Sequence, residues 1–335
     1  MIPPRFEYHS PRSLSEAVAL LGKLGSEAKL LAGGHSLLPM MKLRFAQPEH
    51  LIDINRIPEL RGIREDGGTV VIGAMTSESE LINSPIVQAR LPLLAEAAKM
   101  IADPQVRNRG TIGGDIAHGD PGNDHPALSI AIEASFVLEG PKGRRTVAAD
   151  GFFLGTYMTL LQEDEVMCEI HAPAFVQGTG WAYEKLKRKT GDWATAGCAV
   201  VMRKSGDAVS HVRIALTNVA PSALRVEAAE AALLNQPFNA ATVQAAADAA
   251  AAACDPAEDL RGTSNTKPPW LARWSNAPST KHGHFALNPQ ETPHGKKTHH
   301  RQRQRQSRRK SGRAAHPADP LPARRAQPHR RPHRL

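Results

Sequence analysis

Apolar positions recur at helical spacing directly after Ser13-Leu14-Ser15-Glu16, where Ala17, Val18, Leu20 and Leu21 follow a serine and a glutamate set three apart. That is the spacing of a capping box, and it predicts an amphipathic first helix. Residues 29–31 then form a short apolar strand that runs straight into Ala32-Gly33-Gly34-His35-Ser36-Leu37. Strand patterning returns at 50–54 and 69–74, a helical stretch covers 87–101, and 134–139 reads as another strand. Three strands at 181–187, 195–202 and 211–219 follow with no helix between them, which predicts an antiparallel meander. Two alanine-rich helical stretches, 222–234 and 240–253, come next. The pattern is that of an α+β protein with a boundary near 173–180 and no internal repeat.

Two glycine pairs are placed for chemistry. Gly33-Gly34-His35-Ser36 follows a strand, where glycines let backbone N–H groups converge on a phosphate without a Cβ in the way. It fits neither the Rossmann fingerprint nor the P-loop, and a plain turn is the competing reading. His35 has no partner close in sequence and reads as structural. A second pair, Arg109-Gly110-Thr111-Ile112-Gly113-Gly114-Asp115, again sets glycines beside a small hydroxyl, and Gly119-Asp120-Pro121-Gly122-Asn123-Asp124 prolongs the polar turn. Two such loops can grip the two phosphates of a dinucleotide, with the Ser36 and Thr111 hydroxyls and loop amides as donors. In the basic strand Tyr183-Glu184-Lys185-Leu186-Lys187-Arg188-Lys189, Lys187 and Lys189 read as a solvated face. Lys185 is the residue placed to reach a flavin or phosphate. Trp193, in the loop beyond, can stack on a ring system or cap the core.

Composition narrows the classes. No run approaches 18 apolar residues, so no membrane span is expected, and Pro3, Pro4, Arg5 and Glu7 interrupt any secretory opening. Three scattered cysteines fit neither a disulfide scaffold nor the four ligands of an iron–sulfur cluster, and Cys198 in its apolar strand reads as an inert thiol. A reduced, cytoplasmic protein is expected. Charge is unevenly spread: from Ser264 to Leu335 there are 17 Lys and Arg against Glu291 and Asp319, so this tail carries +15 and the rest −6. The tail also holds 10 of the 26 prolines and 8 of the 15 histidines, with no apolar periodicity from which to build a core.

The blocks at 32–37, 101–107, 111–114, 119–124 and 183–189, in that order, resemble the medium, FAD-binding subunits of aerobic molybdenum-containing carbon monoxide dehydrogenases. The flavin domains of xanthine dehydrogenases and related molybdenum hydroxylases are more distantly similar. The resemblance runs from Met1 to about Gly262. It implies an α+β chain with a two-subdomain FAD-binding fold of the vanillyl-alcohol-oxidase (PCMH) type, divided at 1–56 and 57–176. A C-terminal α+β domain at 177–263 would carry a three-stranded antiparallel sheet with helices. It implies FAD as cofactor, held by Ala32, Gly33, Gly34, His35 and Ser36 and by Thr111, Ile112, Gly113, Gly114 and Asp115, with Asp124, Lys185 and Trp193 also touching it. It implies no catalytic residue toward CO and no metal ligand in this chain. Partners would be an iron–sulfur small subunit and a molybdenum large subunit in a dimer of heterotrimers. A respiratory electron acceptor and attachment through the complex to the inner face of the cytoplasmic membrane are also implied. Two positions depart from the family: Asp115 stands where asparagine is usual, a carboxylate that repels phosphate when ionised, and Trp193 stands where tyrosine is usual. A heterocycle-hydroxylating relative (purine, nicotine) is the alternative within the family, and a cofactor-free module binding nucleic acid through its basic tail is the alternative outside it.

The tail 264–335 is expected to be a disordered, out-of-frame segment. Codon degeneracy allows Ser264 to Pro278, read two bases later, to spell EYKTAMAGEMVKRA, which is similar to the usual family ending. Read one base later, His294 to Leu335 can spell a methionine-initiated opening similar to that of the iron–sulfur small subunit. A genuine basic arm for nucleic acid or anionic lipid is the competing reading.

Overall fold

The computed structural model describes residues 2–258, so the expectations for the basic tail lie outside the described residues. Three sheets succeed one another along the chain. The first is a small parallel sheet of β1 (Glu7–His9), β2 (Ala28–Leu31) and β3 (His50–Asp53), in the order β1-β3-β2. Between β1 and β2 lies α1 (Leu14–Leu24). Ser13 caps it by accepting from the Glu16 amide, while Glu16 reaches back to the amide of Arg12, one residue earlier than in a strict capping box. Its buried face, Leu14, Ala17, Val18 and Leu21, packs with Ile52, Ile54 and Ile57. A short helix α2 (Leu37–Lys42) follows the first glycine pair.

The second sheet is antiparallel, with β4 (Ile63–Asp66), β5 (Thr69–Gly73), β6 (Ser135–Gly140), β7 (Gly143–Ala148) and a later strand, β10 (Val166–Pro173), in the order β4-β5-β10-β6-β7. Strand β5 is almost continuously apolar and buried, whereas β10 alternates from Glu169 onward, with Glu169 and His171 on its partly exposed side. Inserted between β5 and β6 are α3 (Glu78–Asn83), α4 (Pro85–Arg90), α5 (Pro92–Met100), α6 (Pro104–Arg107), α7 (Ile112–His118) and α8 (Asp124–Ala131). The helical stretch expected at 87–101 is two helices, because Pro92 has no amide to continue α4 and starts α5 instead. A two-stranded hairpin, β8 (Phe153–Gly155) with β9 (Met158–Thr159), precedes β10.

The third sheet is the expected meander, β11 (Thr179–Leu186), β12 (Ala196–Ser205) and β13 (Ala208–Thr217), extended by a two-residue strand β14 (Leu224–Arg225) that makes it four-stranded rather than three-stranded. Helices α9 (Glu227–Leu233) and α10 (Ala240–Ala252) cover one face, where Val226, Ala229, Leu233, Ala246 and Ala250 meet Cys198, Met202, Val212 and Leu216. On the other face Trp181, Tyr183, Ala199, Val201 and Ala215 join the core that α5 and α8 share with the second sheet. Small side chains on β12 let that meander lie close to α8. Among the described residues, no helix is long and apolar enough to cross a membrane.

Candidate functional site

The first glycine pair sits where β2 ends. From Leu31 the chain turns through Ala32 to Ser36 into α2, with Gly34 in the left-handed region at φ +77°. The N–H groups of four consecutive residues, Gly33, Gly34, His35 and Ser36, meet no hydrogen-bond acceptor among the described residues. Such a run of unpaired donors is costly unless water or an anion receives them, and a concave run of amides is a phosphate cradle. Ser36 precedes α2 but makes no capping bond, so its hydroxyl stays uncommitted to the helix. His35 is exposed, and its three neighbours in the turn are half-buried.

Sequence reasoning missed what holds this loop. Asn55 donates through Nδ2 to the Ala32 carbonyl at 2.8 Å and to Asp53 Oδ1 at 2.7 Å, and the Asp53 carboxylate also accepts from Tyr8 Oη at 2.5 Å. Tyr8 on β1 thus reaches the turn through β3. Asn55→Ala should cost about 1 kcal/mol, the ordinary net value of one side-chain hydrogen bond, read as a lower melting temperature with a further drop in the gain produced by added FAD.

The second pair lies against the first. A Cβ on Gly33 would fall 2.2 Å from the Arg109 carbonyl oxygen and 2.9 Å from Gly110 Cα, and one on Gly114 would fall 3.4 Å from the Ala32 methyl. The segment that leaves β5 positions the loop: Ile112 N–H donates to the Thr76 carbonyl and Gly113 N–H to the Ala74 carbonyl, at 3.0 and 2.9 Å. Thr111 caps α7, its hydroxyl oxygen accepting from the Gly114 amide at 3.2 Å. These bonds change the expected division of labour. The amides of Ile112, Gly113 and Gly114 are already committed, so the second loop offers the Thr111 hydroxyl proton and a packed wall, while the first loop offers the amides.

Asp115 stands in the first turn of α7. Its Oδ2 is buried without a hydrogen-bond partner among the described residues, although the residue as a whole is partly exposed. Burial pushes its carboxyl up to about 7; the charged His125 opposes that, and Glu78 and Asp124 add to it. The carboxyl is therefore far easier to protonate than an exposed aspartate. Once protonated it can donate a hydrogen bond as the usual asparagine would, which softens the repulsion expected from its charge. Its neighbour His125 is fully buried, with Nε2 2.9 Å from both carboxylate oxygens of the buried Glu78. Burial alone would lower the imidazole, but Glu78, Asp115 and Asp124 outweigh it and bring the ring to about 9. Neither Glu78 nor His125 lies in a glycine block, which is why sequence reasoning passed over them.

Asp124, Lys185 and Trp193 gather at the other end. Strand β11 carries Tyr183 and Lys185 on one face, and both reach Asp124 at the start of α8. Tyr183 donates to Asp124 Oδ1, and Lys185 Nζ lies 2.6 Å from Oδ2, with the Lys185 side chain 1% exposed. Burial, then the Asp124 charge, raises the Tyr183 hydroxyl well above its usual range and keeps it protonated. Lys185, expected to touch the cofactor, is buried as the partner of Asp124. Lys187, expected on a solvated face, donates to the Met100 carbonyl at 3.3 Å, and burial lowers its ammonium pKa. Trp193 is half-exposed beside the turn before α8, its Nε1 3.3 Å from Asn123 Oδ1. Asn123 in turn donates to the Asp115 carbonyl at 3.2 Å, which links this end of the site to the glycine loops.

Comparison with known proteins places this geometry. A family model described as the FAD binding domain in molybdopterin dehydrogenase matches residues 4–175, and one described as the CO dehydrogenase flavoprotein C-terminal domain matches 181–266. The carbon monoxide dehydrogenase medium chain of Hydrogenophaga pseudoflava is 82% identical over 267 residues, covering 80% of this chain and 93% of that one. The nicotine 6-hydroxylase medium subunit of Paenarthrobacter nicotinovorans is 37% identical over 260 residues, covering 78% and 91%. Among solved structures, carbon monoxide dehydrogenase from Hydrogenophaga pseudoflava lacking the Mo-pyranopterin moiety superposes with a TM-score of 0.81 at 81% identity, covering 82% and 96% of the two chains. Quinoline 2-oxidoreductase from Pseudomonas putida 86 gives 0.78 at 30% identity, covering 82% and 95%. The chain belongs to the FAD-binding medium-subunit family of the carbon monoxide dehydrogenases and related molybdenum hydroxylases.

Proposed function

We propose that this chain is the flavin-carrying medium subunit of an aerobic carbon monoxide dehydrogenase, working with an iron–sulfur small subunit and a molybdenum large subunit. The observation that carries the flavin assignment is the run of four unpaired amides at 33–36, pressed against the Thr111 loop so tightly that Gly33 has no room for a Cβ. The residues fit a pyrophosphate: amides and the Ser36 hydroxyl from one loop, the Thr111 hydroxyl from the other, and an Asp115 carboxyl that burial makes protonatable. CO is the substrate of the complex in this reading because identity to the CO dehydrogenase medium chain, 82%, far exceeds the 37% to the nicotine-hydroxylating relative.

When bound, FAD supplies two-electron redox chemistry, so that the two electrons released as CO and water become CO2 and two protons in the partner can pass to a respiratory acceptor. The protein groups position and insulate. The Asp124–Lys185 pair, with Tyr183 on the second carboxylate oxygen, fixes the start of α8 without net charge. Trp193 supplies an aromatic face at the rim, where ring stacking and access to the flavin are set. The three thiols are held protonated: burial pushes Cys168 up to about 12 and Cys254 up to about 11, and raises Cys198 well above its usual range. We read the three sheets as the divisions 1–56, 57–176 and 177–263, and contact with the inner membrane face as made through the complex.

The tail from 264 is in this reading an out-of-frame product of the gene, supported by the family match ending at 266 and by the two degenerate readings. Sequencing several independent clones through codon 264 decides it, and an uninterrupted frame overturns it. The function is tested by coexpressing the full chain with its partner subunits and recording the visible spectrum and CO-dependent dye reduction. Flavin bands with CO oxidation are expected. A complex without flavin after FAD addition overturns the cofactor assignment, whereas a flavin-loaded complex that oxidises a heterocycle but not CO overturns only the substrate.

A further inference from the structure

We propose that Glu7, His9 and His50 form a binding site for one divalent transition-metal cation of the zinc class, at the β1 edge of the parallel sheet and independent of the flavin reading. Glu7 and His9 are two apart on β1 and so share a face, and the parallel register sets Glu7 directly beside His50 of β3. His9 Nε2 lies 3.2 Å from His50 Nδ1, and Glu7 Oε2 lies 3.5 Å from that same nitrogen. All three ligand atoms lie within 4.8 Å of one another. Four-coordinate zinc with bonds of about 2.0–2.1 Å holds its ligands about 3.3–3.4 Å apart, so two of the three separations already bracket the required value. The third closes by rotation of Glu7, whose side chain is 74% exposed and free to turn.

The protonation chemistry points the same way. His50 Nδ1 faces both an imidazole nitrogen and a carboxylate. Whichever neutral tautomer His50 adopts, it can satisfy only one of them, because Nδ1–H donates once and a bare Nδ1 cannot donate to a carboxylate. A cation bound to all three lone pairs removes that conflict. Glu27 and Glu49 bring further carboxylate oxygens within 4.8 Å of His50, Glu49 from β3's own entry and Glu27 from the turn before β2. Their field adds attraction for a cation. Two imidazoles with one carboxylate select a borderline ion such as Zn2+ over Mg2+ or Ca2+, with water in the fourth position. The ion would staple the three-residue edge strand β1 to β3, and β1 carries Tyr8, whose bond to Asp53 supports the turn at Ala32.

The test titrates ZnCl2 into the full chain and into Glu7→Gln, His9→Ala and His50→Ala variants, with MgCl2 as the control ion. The chain also has eight histidines after residue 264 that offer zinc ligands, so the readouts are the difference between chains and the place of the ion. Expected are one zinc equivalent fewer, or at least about tenfold weaker binding of that equivalent, in both histidine variants. A smaller loss is expected in Glu7→Gln, whose exposed side chain leaves folding intact, together with an anomalous peak at the zinc edge between the three residues in a soaked crystal. Equal stoichiometry and affinity in all four chains, or a zinc-soaked crystal with no peak at these residues, overturns the proposal. Melting curves without metal show which variants are folded.

Discussion

Gly33→Ala is expected to strip the protein of FAD while leaving most of its secondary structure in place. The added Cβ would lie 2.2 Å from the Arg109 carbonyl oxygen, 2.9 Å from the Arg109 carbonyl carbon and 2.9 Å from Gly110 Cα. Every one of these atoms is backbone, so no rotamer change relieves the clash and the two loops must separate. Overpacking of this kind costs about 1–3 kcal/mol, which corresponds to roughly ten- to hundredfold weaker cofactor retention if the loops part at the phosphate site. The measurement is the flavin-to-protein absorbance ratio of the purified complex, followed by FAD titration of the stripped protein. Gly22→Ala is the internal control: this glycine lies on the exposed side of α1, nothing stands within 4 Å of its Cβ position, and the change should stabilise by about 0.5–1 kcal/mol. Opposite signs at two glycines distinguish close packing from a general dislike of alanine. Unchanged flavin content in Gly33→Ala would show that the loop contact does not hold the cofactor.

The same comparison explains why the site was only partly legible in the sequence. Paired glycines after a strand are visible in one dimension, and both pairs meet in the structure as expected. What the sequence did not carry is which glycine is constrained and by what. Gly114 looked equivalent to its neighbours, yet its Cβ position meets only the Thr111 hydroxyl at 2.8 Å, a side-chain atom, and the Ala32 methyl. Gly113 is crowded by the Cβ, oxygen and Cα of Ala74, 2.5 to 2.8 Å away just past the end of β5, a contact between residues almost forty positions apart. The backbone-against-backbone contacts place the decisive test at Gly33 and Gly113 rather than at Gly114. The Asp124 partner of Lys185 was illegible for a related reason. Strand alternation correctly put Lys185 on the Tyr183 face, but only packing of α8 against the meander shows that this face points inward at Asp124. Local periodicity gave the meander and the alanine-rich helix at 240–253, whereas the helix expected at 222–234 begins only at Glu227, because residues 224–225 pair as β14, a strand too short to show a period.

Glu78→Ala is expected to be the most damaging single change to stability, at about 3–5 kcal/mol, because it breaks a buried ion pair and leaves the His125 ring to lose both its proton and its hydrogen-bond partner. The pH dependence identifies the cause. In the native protein His125 sits near 9 against an unfolded value near 6.5. The folded state therefore holds the extra proton between those limits, and the stability this supplies is fully present below about 6.5 and lost as pH rises through about 9. Asp115 works in a lower window with the same sign: its carboxyl is raised from 3.8 to about 7, so stability falls as pH climbs from about 4 to 7 and stays lowered above that. Asp115→Asn should accordingly raise stability at pH 8 by up to a few kcal/mol, flatten the acid-side slope and hold or increase FAD affinity. Glu78→Gln should instead flatten the slope between 6.5 and 9, because without the carboxylate the buried ring gives up its proton. Thermal melts of the three variants and the parent at pH 5, 7, 8 and 9.5 separate these effects. Parallel pH profiles for all four proteins would show that the buried Glu78–His125–Asp115 group does not bind protons as its geometry requires. Because Asn123 ties the Asp115 carbonyl to the turn beside Trp193, a change in this group's charge is also expected to reach the flavin rim, measurable as a pH-dependent shift in Trp193 fluorescence that Asp115→Asn abolishes.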